Sequence, residues 1–247
     1  MLPTFLAKNQ YMNPTDSLKV PFQDAFGFSG DMFAFWKAFP KFGDLFDTHM
    51  GFQRDSSTDF LSVFKVMQEG KNILDDDVAF VDLGGGVGHQ SARLKAICPD
   101  LPGRVILQDL PHVLDRALST PGVEKLPCNL LELPPTKDAK FYYMRGVLHD
   151  FPDDKCQLIL SNIAAAMAND SVLLVDEMVL PDKNIHWQAA SMDLQMLSYL
   201  GSQERTRSHW SELTRSVGLS IQNVYFHKPT AYESLLVLIK DHRPISV

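Results

Sequence analysis

The stretch that decides the fold is Phe80-Val81-Asp82-Leu83-Gly84-Gly85-Gly86-Val87-Gly88. Its apolar start, extended back through Val78 and Ala79, has the composition of a short buried strand. Glycines then stand at alternate positions, Gly84, Gly86 and Gly88. Residues 89–97 read as a helix, with Ala92, Leu94 and Ile97 as its apolar positions. Strand, glycine turn and helix form the opening unit of a nucleotide-type α/β site. A side chain in such a turn would hold the backbone away from a ligand, and a tight turn uses positive φ.

A dinucleotide turn needs G-x-G-x-x-G/A. Counted from Gly84 the sixth position is His89, and from Gly86 it is Ser91, so neither frame fits. Asp82, two residues before the first glycine, repels a pyrophosphate and attracts a cation. The pattern therefore suits S-adenosylmethionine, which carries a sulfonium and an ammonium. A turn that only lets strand and helix pack closely needs the same glycines, so other residues have to decide.

The chain of 247 residues fits one α/β domain with a modest helical addition. Its net charge of -7 argues against nucleic acid, because phosphate binding wants a basic face. No apolar run is long enough to span a bilayer, and the first residues lack the pattern of a signal peptide. Cys98, Cys128 and Cys156 lie far apart without metal-ligand spacing. They read as reduced thiols of a cytoplasmic protein, and no metal is expected.

Residues 1–70 read as helical and irregular, and they are rich in phenylalanine. These rings are expected to cover one edge of a sheet or to wall an apolar ligand, with Met50 and Phe52 the first candidates for the wall. Strands follow at 104–108, 122–128, 141–145 and 172–176, with Asp109 just after the first of these. A helix from Asp153 to Met167 carries Leu158, Ile159, Ile163 and Met167 on one face. The helix at 185–200 shows two apolar stripes, Trp187, Ala190, Leu194 and Leu197 beside Met192, Met196 and Tyr199, and is expected to be buried on two sides. Thr206 caps a further helix that stops at Gly218. Strands at 221–226 and 234–239 are joined too closely for a crossover, so they pair antiparallel. The sum is an α/β fold: a Rossmann-like, mostly parallel seven-stranded sheet, helices on both faces, and a C-terminal antiparallel hairpin.

Ligands of such sheets bind beyond the carboxyl ends of the strands. Those ends carry Asp82 and the glycines, Asp109, His149 with Asp150, and Glu177; Glu204 lies in the loop after the two-striped helix. A histidine able to act as a base and carboxylates able to orient it form a plausible catalytic set. The segments V-D-L-G-G-G-V-G, Q-D-L-P-H-V, L-H-D-F-P-D-D-K-C, L-V-D-E-M-V-L-P and G-S-Q-E-R-T, in that order, resemble the small-molecule O-methyltransferases of the caffeate type, most of all the fungal secondary-metabolite branch. The resemblance covers nearly the whole chain. It implies S-adenosylmethionine as cofactor, a small aromatic or polyketide-like acceptor, and His149 as the catalytic base flanked by Glu177 and Glu204. It further implies Asp82, Gly84 and Gly86 on the methionine side, Asp109 on the ribose, and Arg145 near the cofactor. Met192 and Met196 fall on the helix that lines the acceptor pocket, and Met50 joins them from the N-terminal segment. Residues 1–70 become a helical substrate-side cap and 71–247 the cofactor-binding catalytic domain.

Two departures stand out. Relatives carry an N-terminal winged-helix dimerisation domain for which this chain has no room. That leaves an excised catalytic domain, a natural truncation, or a half completed by a homodimer mate or a different partner chain. Relatives also place an aspartate near the adenine where this chain has Asn129, which keeps an acceptor but loses the charge. The rival expectations are a relative with pericyclic or isomerising chemistry, a catalytically silent partner subunit and, more distantly, a dehydrogenase.

Overall fold

The structure is a computed structural model in which residues 2–54, 59–132 and 136–241 are described. Among the described residues six helices lead into the sheet: α1 (Leu2–Lys8), α2 (Pro21–Phe26), α3 (Met32–Ala38), α4 (Pro40–Arg54), α5 (Phe60–Val63) and α6 (Val66–Glu69). Alternation follows: β1 (Val78–Leu83), α7 (His89–Ile97), β2 (Arg104–Asp109), α8 (Pro111–Leu114), β3 (Val123–Pro127) and β4 (Phe141–Arg145). A 3-10 turn at Leu148–Asp150 opens the second half, with α9 (Asp153–Ala166), β5 (Val172–Leu180), α10 (Trp187–Leu200), β6 (Arg205–Thr206) and α11 (Arg207–Ser216). The hairpin β7 (Leu219–Lys228) and β8 (Glu233–Lys240) ends it.

The sheet runs β3-β2-β1-β4-β5-β8-β7, with β8 alone reversed, pairing antiparallel to both β5 and β7. The expected α/β architecture holds, with the two-residue β6 as an addition, parallel to the end of β5. The chain moves outward from β1 to β3, then returns to place β4 on the other side of β1. Such a reversal is where α/β sheets place a ligand crevice, here beyond the carboxyl ends of β1 and β4. Alternation along the strands feeds two cores. Val81, Tyr142, Met144 and Leu173 pack with α9 and α11, while Phe80, Phe141, Tyr143 and Leu174 pack with Phe60, Leu61 and Phe64.

Four expectations need correction. The Phe22–Phe39 rings pack largely on one another, with Val20, Phe22 and Phe35 forming a separate small core, so the sheet face is covered instead by the following segment at 60–66. On α9 the buried positions are Cys156, Ile159, Leu160, Ile163 and Ala166, whereas Leu158 points outward. On α7 the buried face is Gln90, Ser91 and Leu94, and Ile97 is exposed, because Ser91 is turned inward onto Asp82. Most clearly, α10 is not buried on two sides. Only Ala189 and Leu200 are buried, while Trp187 is 70% exposed and Leu194 51%.

Candidate active site

The glycine turn is shaped by the carboxylates around it. Asp82 is buried at the end of β1 and accepts a hydrogen bond from Ser91 Oγ at 2.7 Å. A side chain on Gly85 would strike that carboxylate at 2.6 Å. Gly84 has φ +64°, and a Cβ there would stand 3.0 Å from Val147. Backbone of the β1 turn thus lies against the segment that follows β4. Asp109, at the end of β2, accepts from the Gly86 amide at 2.8 Å and the Leu110 amide at 2.7 Å, tying two strand tips together.

Across the crevice, His149 sits on the 3-10 turn after β4. Its Nδ1 lies 2.9 Å from Glu204 Oε1 and 3.9 Å from Glu177 Oε2. Its Nε2 lies 3.5 Å from Asp150 Oδ1. Glu177 and Glu204 are buried; the imidazole is one-fifth exposed. Glu177 Oε1 also accepts from the amides of Val147 and Leu148, at 2.9 and 2.8 Å, so the same carboxylate holds the turn and faces the ring. Because Glu204 takes the Nδ1 side, Nε2 is the nitrogen placed to exchange a proton. Burial disfavours the charged ring, but Glu177, Asp150 and Glu204 outweigh it and hold the His149 pKa well above its ordinary value. Burial raises the Glu177 pKa, with His149 opposing. Ligand atoms of His149, Glu177 and Glu204 lie within 4.8 Å of one another. Their hydrogen bonds already bind ring and turn, an arrangement that orients an imidazole.

The other expected residues are spread around this centre. Arg145 is largely buried, 3.7 Å from Asp176 and 3.6 Å from Glu233. Asp176 also accepts from Tyr143 and pairs with His227 at 2.7 Å. Strand alternation puts Asp176 and Glu177 on opposite faces, so the Arg145 guanidinium is directed away from the His149 cluster. Asn129 is exposed beyond β3, where its Oδ1 accepts from the Leu131 amide at 3.1 Å. Met192 and Met196 are half-buried on α10, which packs against the His149 turn. The side chains of Met50 and Phe52 lie outside the described residues.

A cleft of about 460 Å³ opens between Phe33, Ala34 and Lys37 of α3 and Leu110, Pro111 and His112, next to Asp109. The Phe33 ring also stacks on Phe151 at 6.0 Å, so α3 spans from the Asp109 side to the His149 turn. Sequence reasoning assigns no role to Ser91, Asp193, Ser202 or Arg205. Asp193 Oδ1 accepts the Glu204 amide at 2.8 Å, and Ser202 Oγ donates to the His149 carbonyl. The available signal was the adjacency of Ser202 and Arg205 to Glu204 in the segment already singled out.

The sequence matches the O-methyltransferase domain family over residues 8–220. It is 51% identical over 239 residues to the O-methyltransferase ucdC of Aspergillus ustus, covering 97% of this chain and 62% of that protein. It is 42% identical over 234 residues to the demethylsterigmatocystin 6-O-methyltransferase of Aspergillus flavus, covering 94% and 60%. Two solved structures, LepI in complex with SAM and a protein described as a pericyclic reaction enzyme, align with a TM-score of 0.89 at 36% identity, over 97% of this chain and 62% of theirs. The chain therefore spans about three-fifths of the length of these relatives. Family match, sheet order and strand-tip residues agree, and the chain belongs to the O-methyltransferase domain family.

Proposed function

We propose that this chain methylates a hydroxyl of a small aromatic or polyketide-like secondary metabolite, with S-adenosylmethionine as donor and His149 as general base. The observation that carries the reading is the imidazole held by Glu204 and Glu177, on the segment whose Val147 packs against the Gly84 turn. The donor set fits the cofactor on this structure's own terms. Gly84 adopts a left-handed φ of +64° that keeps the turn tight against Val147, and the Asp82 carboxylate beneath Gly85 favours a cation. In this reading Asp82, Gly84 and Gly86 hold the methionine end, Asp109 the ribose, and Asn129 the adenine, with Arg145 bracing the strand tip nearby. Met192, Met196 and Met50 line the acceptor side, where residues 1–70 serve as a cap on the domain at 71–247.

When bound, the cofactor supplies an electrophilic methyl group and leaves as a neutral thioether. His149 Nε2 takes the acceptor's hydroxyl proton as the oxygen forms its new bond to carbon. Glu204 and Glu177 stabilise the imidazolium that results. The raised pKa of His149 brings the base closer to a phenol of pKa about 10 and makes proton abstraction easier. The positive charge passes from sulfur to the imidazole, where Glu204 and Glu177 lie at 2.9 and 3.9 Å, so the net charge of the site is unchanged by the step.

A second reading is pericyclic or isomerising chemistry on the same scaffold; the likeness to a pericyclic reaction enzyme favours it. A third element of the proposal is that another copy or a partner chain completes the acceptor side, supported by the exposed apolar residues of α10. The three cysteines are free, which agrees with a cytoplasmic setting, and no helix among the described residues is long and apolar enough to cross a membrane. Labelled-methyl transfer to a panel of phenols, run beside His149→Ala, tests the leading reading. Equal transfer by parent and variant removes His149 as base. Cofactor binding without any transfer, but with rearrangement of a substrate, favours the second reading.

A further inference from the structure

We propose that Arg205 is a positioning residue for the catalytic base: buried beneath the 3-10 turn, it holds the backbone that aims His149 at the crevice. Arg205 follows Glu204 directly, and the two residues serve the same turn in different ways. Glu204 meets the imidazole, while Arg205 runs under the backbone that carries it. The guanidinium is fully buried. Its Nη1 donates to the Leu148 carbonyl at 2.9 Å and its Nη2 to the Phe151 carbonyl at 2.9 Å. Those carbonyls bracket His149 and Asp150. The fork also grips Asp153 Oδ1 at the start of α9, through Nε at 2.9 Å and Nη2 at 2.7 Å. Cys156 Sγ lies 3.2 Å from Nη2, and the Trp210 ring lies 5.3 Å from the guanidinium carbon.

The neighbours complete a clamp. Ser202 Oγ donates to the His149 carbonyl, and Gln203 Nε2 to Asp153 Oδ2 at 3.2 Å. From below, Glu177 takes the amides of Val147 and Leu148. The turn's carbonyls are thus held by the segment at 202–205 and its amides by β5. A merely structural arginine could have paired with Asp153 alone. Here one cation spans the two carbonyls on either side of the base, a job that needs a planar fork and that a lysine cannot copy. A buried cation whose partners were removed is costly, so the turn and the arginine hold each other in register.

The test uses the full chain with Arg205→Lys and, as a milder variant, Asp153→Asn, which loosens the grip on the fork while keeping the arginine. The first readout is the titration midpoint of the His149 ring by NMR, which needs no turnover. In Arg205→Lys the ring is expected to slip from Glu204 and its midpoint to fall toward that of an ordinary imidazole. The second readout is methyl transfer. A misplacement of this kind lowers kcat by about 100-fold, while the affinity for S-adenosylhomocysteine, bound on the glycine side, holds. Asp153→Asn is expected to move both in the same direction by less. A folded variant whose His149 midpoint and kcat match the parent overturns the proposal, as does a loss confined to thermal stability. If Arg205→Lys does not fold, an unmoved midpoint in Asp153→Asn overturns it. The kcat arm rests on the methyl-transfer reading and the NMR arm does not: a moved midpoint in a chain that transfers no methyl keeps the clamp and removes the reading.

Discussion

The two sides of the crevice are built to different standards. On the His149 side each group is held by another: ring by Glu204, amides by Glu177, carbonyls by Ser202 and Arg205. On the other side, α10 and the N-terminal helices leave Trp187, Leu194, Phe42 and Leu45 half-exposed or more. Buried polar groups demand partners and so fix one geometry, whereas apolar contacts are tolerant of what covers them. The difference teaches where geometry is stored: the imidazole is fixed within this chain, while the half-exposed helices on the other side are open to redefinition.

That contrast is most exposed to His149→Ala. Loss of the base is expected to lower methyl transfer by about 10²–10⁴-fold while calorimetry finds cofactor affinity unchanged. An equal loss of affinity would mean that the two functions are not separable. Next comes the sheet-covering segment: Phe60→Ala, at a fully buried ring, should cost about 3–5 kcal/mol in chemical denaturation. Gly84→Ala forces a side chain into a left-handed turn against Val147 and is expected to weaken S-adenosylhomocysteine binding by about tenfold or more.

The pH profile sharpens the comparison further. His149 works as a base only when neutral, and its pKa is raised by three carboxylates. Methyl transfer should therefore climb as pH rises through a midpoint above the ordinary imidazole value. Glu204→Gln removes one of those charges, so the acid limb should move to lower pH while the plateau falls. The smallest effect is expected on α10. Trp187→Gln should change stability by less than about 0.5 kcal/mol, because the ring is mostly in water. A large loss there would show that α10 is covered in solution.

Much of this was legible in the sequence, for physical reasons that can be named. Alternating glycines between an apolar run and a helix admit few structures, and the strand tips follow from the order of β and α units. That His149 and Glu177 stand near the tips of β4 and β5 follows from strand order, whereas Glu204, in the loop after α10, meets the imidazole only in the fold. Arg205 was not legible, because an arginine beside a glutamate looks like a solvated pair until the turn beneath it is known. Arg145 shows the reverse: it stands at the tip of β4, and alternation turns its side chain toward Asp176 and Glu233, which strand position alone does not tell. The stripes of α10 misled because apolar periodicity says which residues share a face, not whether anything covers it.

Cys156 lies under the same turn, its thiol donating to the carbonyls of Leu148 and Phe151 and its pKa pushed up to about 12 by burial, with Arg205 pulling the other way. Such a thiol is unreactive while covered. Its rate of alkylation is therefore a clock for local opening, one that ticks only when the turn carrying His149 lifts. Bound acceptor should slow that clock, giving a way to screen unlabelled metabolites by mass spectrometry before any turnover has been seen.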